Sequence, residues 1–111
     1  MNKQDQEEHM LAALAAGYEF EAYSNFVVVK KKGEEVFSMW RPKTNKANSF
    51  DLMVDCGIGV DSHIDGYAVF SSWREGVEDI NVQPEYADSE HYMHAVFNCA
   101  VAIGRSMEKT K

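Results

Sequence analysis

DSEHYMHAVFNCAVAIGRSM, residues 88–107, is the stretch that decides the fold. Asp88 or Ser89 suits a helix N-cap, and Met93, Val96, Phe97, Ala100, Val101, Gly104 and Met107 recur at the three- and four-residue spacing of a buried helical stripe. Tyr92, Ala95, Cys99 and Ile103 widen that stripe beyond what one sheet face requires. Such a helix is either the central packing element of a domain or part of an interface with a second copy.

Upstream, Asp5 to Ala16 reads as a first helix, with acids in its opening turn, Met10, Leu11 and Leu14 on one side, and Gly17 placed to end it. Tyr18 to Tyr23 and Phe26 to Lys31 read as strands joined at Ser24 and Asn25, the second built on the β-branched run Val27 to Val29. Lys32 and Gly33 predict a tight connection to a strand from Glu34 to Trp40. Arg41 and Pro42 stop it, and Thr44 or Asn45 caps a second helix in which Ala47, Phe50, Val54 and Gly57 fall at helical spacing. Gly57 and Gly59 end that helix. His63 to Trp73 reads as one long strand, turned by Glu75 and Gly76 into Val77 to Gln83, which Pro84 closes. The predicted class is α+β: an antiparallel four- to five-stranded sheet packed with three helices, in the order α-β-β-α-β-β-α. A chain of 111 residues is expected to form a single domain over 1–111, with 108–111 as a polar tail.

Charge is divided unevenly along the chain. Residues 1–46 carry seven acids and seven bases and are neutral. Residues 47–104 carry ten acids (Asp51, Asp55, Asp61, Asp65, Glu75, Glu78, Asp79, Glu85, Asp88, Glu90) and the single base Arg74, and the whole chain has a net charge of −7. A segment of this kind repels nucleic acid and attracts basic surfaces, with a reach of about 8 Å at physiological salt. Acidic surfaces also keep small proteins dispersed, and Asp88 and Glu90 suit a helix N-terminus for purely local reasons.

No motif of established chemistry competes with that signal. His91 and His94, three apart beside Glu90, have a spacing that metal sites use, but zinc requires a third and fourth ligand, and Cys99 points elsewhere. Asp61, His63 and Asp65 would share a face if extended, where a carboxylate can orient a histidine for acid–base work; DSHIDG reads equally well as a polar turn. GIGVD lacks the spacing and the lysine of a phosphate loop. Lys30, Lys31 and Lys32 form a short basic run beside Glu34 and Glu35, as at a solubilised hairpin tip. No enzyme activity, metal or cofactor is expected. Cys56 and Cys99 lie in apolar helical patterns, where a thiol acts as a small hydrophobe, although their number also allows one disulfide. MNKQDQEEHM has no apolar signal-peptide core, so a reducing cytoplasmic setting is expected, and no apolar run approaches the roughly 18 residues of a membrane span.

The stretch WRPKTNKANSFDLMVDCG, from Trp40 to Gly57, together with HAVFNCAVAIG, from His94 to Gly104, resembles the phage α-β-α sandwich domain family of small bacteriophage and prophage proteins. The matching positions are Trp40, Pro42, Thr44, Asn45, Ala47, Ala95, Cys99 and Ala102, within residues 36–107; the first helix and the Val27 to Val29 strand are additions. The resemblance implies phage origin, α/β layering and an accessory role during infection, in the cytoplasm of a bacterial host cell. It brings no catalytic residues.

Charge and resemblance together predict a non-enzymatic protein that binds a host nucleic-acid-handling defence complex with a basic surface, such as a CRISPR effector, and inhibits or redirects it in an anti-CRISPR-like manner. The expected contact residues are Asp61, Asp65, Trp73, Glu75, Glu78, Asp79, Glu85, Tyr86, Asp88 and Glu90, with carboxylates steering association and the aromatics anchoring it. No direct nucleic-acid or membrane contact is expected. The alternative is a homo-oligomeric phage structural or assembly module, in its simplest form a homodimer through the wide stripe of the last helix.

Overall fold

Two αL glycines and two asparagine caps set the limits of the first two helices. Asn2 accepts from the Asp5 N–H at 2.7 Å and starts α1, Lys3–Ala16, two residues earlier than the acids suggest. Gly17, at φ 78°, ends it: the Gly17 and Tyr18 N–H groups return to the carbonyls of Leu14 and Ala13. Asn45 accepts from the Asn48 N–H at 2.9 Å and starts α2, Lys46–Cys56, which Gly57 ends at φ 68°. The computed structural model describes residues 1–109 and has, besides these, six strands, a 3-10 turn and a third helix.

The α+β class holds, but the strands form two three-stranded antiparallel sheets rather than one sheet of four or five. The first has the order β1 (Glu19–Ala22), β2 (Val27–Lys30), β3 (Ser38–Trp40), with Val27 opposite both Ala22 and Trp40. The second has the order β4 (Ile58–Ser62), β5 (Ala68–Ser72), β6 (Ile80–Val82), with Phe70 opposite both Val60 and Ile80. A 3-10 turn, Pro84–Tyr86, leads from β6 into α3, Ser89–Lys109.

Several sequence expectations are corrected here. The long strand from His63 to Trp73 is the second arm of a hairpin. Residues 63–66 form its turn, with the His63 N–H donating to the Tyr67 carbonyl at 2.9 Å and Gly66 at φ 92°. Gly59, expected to help end a helix, instead lies in β4 opposite Ser71, and Ile58 beside it is buried. β3 is only three residues long because Glu34 curls back, its carboxylate accepting from the Lys31 N–H at 2.9 Å. α2 is rotated from its expected orientation: Ser49, Leu52 and Cys56 face inward, while Phe50 and Val54 are 59 % and 57 % exposed. Glu108 and Lys109, expected in a polar tail over 108–111, continue α3, and residues 110–111 lie outside the described residues.

α3 is the element on which the rest is assembled. It packs against α1, against α2 and against all three strands of the second sheet, while the first sheet rests on α1. Val27, Val29 and Trp40 turn the buried face of the first sheet toward the helices, and Trp40 meets the His9 ring edge-on, which in turn lies 4.7 Å from the ring of Phe97. The widened stripe is consumed within the chain: Ala95, Cys99 and Ile103 are buried, and Tyr92 packs edge-on against Phe70. The part of the stripe at Tyr92 and Met93 stays partly exposed, beside Phe50 of α2 and Val60 of the second sheet. The paired helices α1 and α3 thus carry one sheet each, α1 the first and α3 the second.

Candidate functional site

The ten expected contact residues do not converge. The turn carrying Asp65 sits against the start of the 3-10 turn, so closely that a Cβ on Gly66 would lie 3.2 Å from Pro84 Cβ. This brings Asp61, Asp65, Glu85, Tyr86, Asp88 and Glu90 to one end of the molecule. Trp73, Glu75, Glu78 and Asp79 follow the other end of β5, where Glu78 and Asp79 line a shallow cavity with Arg105 and Lys109. From Glu90 to Arg105 the helix rises about 22 Å, between two and three screening lengths of about 8 Å, so the two groups do not act as one field.

Their local chemistry differs as well. Beside the second group, Arg74 donates from Nε to the Ser106 hydroxyl at 3.0 Å, and Arg105 and Lys109 stand opposite the acids; the field there is compensated. The first group has no Lys or Arg within residues 58–73 or 75–104; the base nearest to it that shares a cavity with its segment is Lys46 of α2, across from Ser89. Asp88 caps α3 by accepting from the His91 N–H at 2.8 Å, and its two oxygens lie 2.8 and 2.9 Å from His91 Nδ1. The His91 backbone N–H, then the ring, hold the Asp88 carboxyl below its usual range. Tyr86 is half exposed against the His91 ring, and Ile64 at the hairpin tip is fully exposed. An aliphatic and an aromatic side chain thus stand among five carboxylates.

The other constellations have structural explanations. Asp61 lies in β4 while His63 and Asp65 lie in the turn, and the His63 ring stacks on Tyr67 at 4.1 Å, so the three share no strand face. His91 is held by Asp88, and among the described residues no group of three His, Cys, Asp or Glu side chains is placed to hold a metal ion. In the basic run, Lys30 pairs with Glu19 at 2.9 Å and Lys31 with Asp51 at 2.6 Å. Cys56 and Cys99 are buried free thiols, pushed up to about 12 and about 11, chiefly by burial. No helix among the described residues is long and apolar enough to cross a membrane.

Two features escaped the sequence reading. One is a polar pocket of about 430 Å³ between the first sheet and α2, where the Tyr18 hydroxyl donates to Asp55 and Lys31 bridges to Asp51. Burial first, and then the adjoining carboxylate, push the Tyr18 phenol far above its ordinary value, which makes it a fixed donor rather than a base or nucleophile. The other is an apolar cavity of about 320 Å³ between α2, α3 and the second sheet. Lys46, Ser49, Phe50 and Met53 on α2 and Ser89, Tyr92, Met93 and Val96 on α3 line it, with Val60 and Phe70 of the sheet. Each helix offers positions i, i+3, i+4 and i+7; Met93 and Val96 were expected in the buried stripe of α3, whereas the face expected of α2 ran through Ala47, Phe50 and Val54 and left out Lys46, Ser49 and Met53.

Comparison of the chain with protein-family models, with curated proteins and with solved structures finds no match.

Proposed function

We propose that this chain is a non-enzymatic binding protein whose acidic end docks on a basic surface of another protein. The observation that carries this reading is the gathering of Asp61, Asp65, Glu85, Asp88 and Glu90 around exposed Ile64 and Tyr86, in segments without a single Lys or Arg. Carboxylates of this kind speed encounter with a cationic partner, and central apolar groups retain it once water is excluded. Basic surfaces that hold phosphates are the natural targets, so the partner is a nucleic-acid-handling protein. The resemblance to phage accessory proteins extends the reading to a host defence complex, of which a CRISPR effector is the first to test. The contact set is narrower than the sequence suggests, because Trp73, Glu75, Glu78 and Asp79 lie at the opposite, compensated end.

Affinity purification from bacterial host lysate at low and high salt tests it, with two charge-reversed variants in parallel. Retention of a nucleic-acid-handling protein that is lost at high salt and lost in Asp65→Lys/Glu85→Lys/Glu90→Lys, but kept in Glu78→Lys/Asp79→Lys, supports the reading. Binding that survives the first variant removes the acidic end from it.

A further inference from the structure

We propose that the apolar cavity between α2, α3 and the second sheet is a binding site for a small aliphatic monocarboxylate, tail inward and carboxylate at the Lys46 rim. The proposal is separate from the acidic-end reading and does not depend on it. At about 320 Å³ the cavity has the size of a small-ligand site, and it is lined almost wholly by apolar side chains. Phe70 forms its floor, fully buried, and Val60 lies beside it in register on the neighbouring strand. Phe50 and Val60 are 59 % and 43 % exposed, apolar side chains of the cavity wall left without cover by this chain. Met53 and Met93, one from each helix, supply flexible walls that can follow the shape of an alkyl chain.

The polar groups of the lining settle the head group. They are Lys46, Ser49 and Ser89, and all three lie in the first turns of α2 and α3. Both helices therefore direct the positive ends of their dipoles to the same side of the cavity. The Lys46 ammonium forms no ion pair with any described residue, whereas Lys30, Lys31 and Lys43 each hold a carboxylate at 2.9 Å or less. Two acids stand near this rim. Asp88 is engaged by His91, and Glu90 is turned about 100° round the helix from Ser89. The free positive charge over an apolar interior matches an anion joined to a hydrocarbon chain, and a carboxylate is the anion whose single charge one lysine balances.

The test is a titration of isotope-labelled protein with decanoate, followed by NMR, with decanol and acetate as head-group and tail controls. Decanoate is expected to give saturable shifts confined to Phe50, Met53, Val60 and Met93, decanol to bind more weakly, and acetate to give no shift at these residues. Lys46→Gln, an exposed substitution that leaves the fold intact, is expected to weaken decanoate by about three- to fivefold, the size of a partly exposed ion pair, without changing decanol. Met93→Trp, which fills the cavity, is expected to abolish both. Absence of saturable shifts, equal binding of decanoate and decanol, or decanoate binding unchanged in Lys46→Gln overturns the proposal. So would movement of the same signals with protein concentration alone, which would mean that a second copy covers this face.

Discussion

A Cβ placed on Gly104 would overlap the carbonyl oxygen of Leu11 and stand 2.7 Å from its carbonyl carbon. α1 and α3 thus approach backbone to backbone, with Ala12, Ala13 and Ala100 fully buried at the same seam. Small residues are what permit this separation, and the obstacle is main chain, which cannot rotate away as a side chain can. Gly104→Ala should therefore destabilise the protein by about 2 kcal/mol in urea unfolding, despite the better helix propensity of alanine. A neutral or stabilising result would mean that the helices separate more easily than their packing indicates.

His9 is buried between Trp40 and Phe97, and its Nδ1 lies 2.7 Å from the Asp5 carbonyl oxygen. Burial lowers its proton affinity, and Lys43 adds to this, although Asp5 and Glu8 act in the opposite sense. The unfolded chain then takes up a proton near pH 6.5 that the folded chain resists. Stability should be at its plateau above that pH and decline as pH falls below it. His9→Phe should flatten the decline; an unchanged slope between pH 8 and pH 5 would assign it to other groups. Asp5 acts lower in the range: burial opposes its ionisation, but the Lys43 hydrogen bond and the nearby positive charges outweigh that, so its contribution is lost only as pH falls below about 3.8.

Tyr18→Phe removes the donor to Asp55 while leaving the ring against Trp40. The expected loss is about 1.5 kcal/mol, the range for a hydrogen bond to a charged group. Because the folded phenol resists ionisation, its stabilising effect is complete below about pH 10 and fades as pH rises beyond it, when the unfolded chain releases the proton. Absorbance titration of the two native proteins should show equal tyrosinate amplitudes at high pH for the wild type and Tyr18→Phe, because Tyr18 stays protonated; a larger amplitude in the wild type would contradict the buried phenol.

Both thiols should be inert to a thiol reagent in the native protein and react stoichiometrically on unfolding, since burial raises Cys56 and Cys99 well above ordinary thiol values. Rapid labelling of either under native conditions would show that α2 or α3 opens locally.

α2 offers a comparison across one helix. Leu52 is fully buried and Val54 is 57 % exposed. Leu52→Ala should cost about 3 kcal/mol and Val54→Ser less than about 0.5 kcal/mol, measured by thermal or urea unfolding. Similar costs would restore the orientation that the sequence suggested.

That orientation shows where sequence reading stops. Caps were legible, because Asn45, Gly17 and Gly57 act through local backbone geometry alone. The inward face of α2 was not, because Phe50 and Val54 outweigh Ser49 and Cys56 in hydrophobicity while the packing partner, α3, selects the opposite side. β4 was hidden for a related reason: a strand of Ile, Gly, Val, Asp and Ser has weak local propensity, and its pairing with β5 supplies what propensity does not. The number of acids was plain, but their division into two ends depends on an antiparallel hairpin that returns the chain beside Pro84. The cavity required knowing that two helix faces, each readable alone, face each other across a gap.

α3 follows in the chain every element that it covers. The first sheet has α1 to rest on, but α1 exposes its Leu11 to Ala13 seam until residues near Gly104 arrive, and the second sheet has no helix to cover Phe70 before then. A nascent chain at that stage displays the Leu11 to Ala13 seam of α1 and the Phe70 face of the second sheet to the cell. Its passage from the ribosome is therefore the period when chaperone capture and aggregation compete most strongly with folding, and the arrival of α3 decides the outcome.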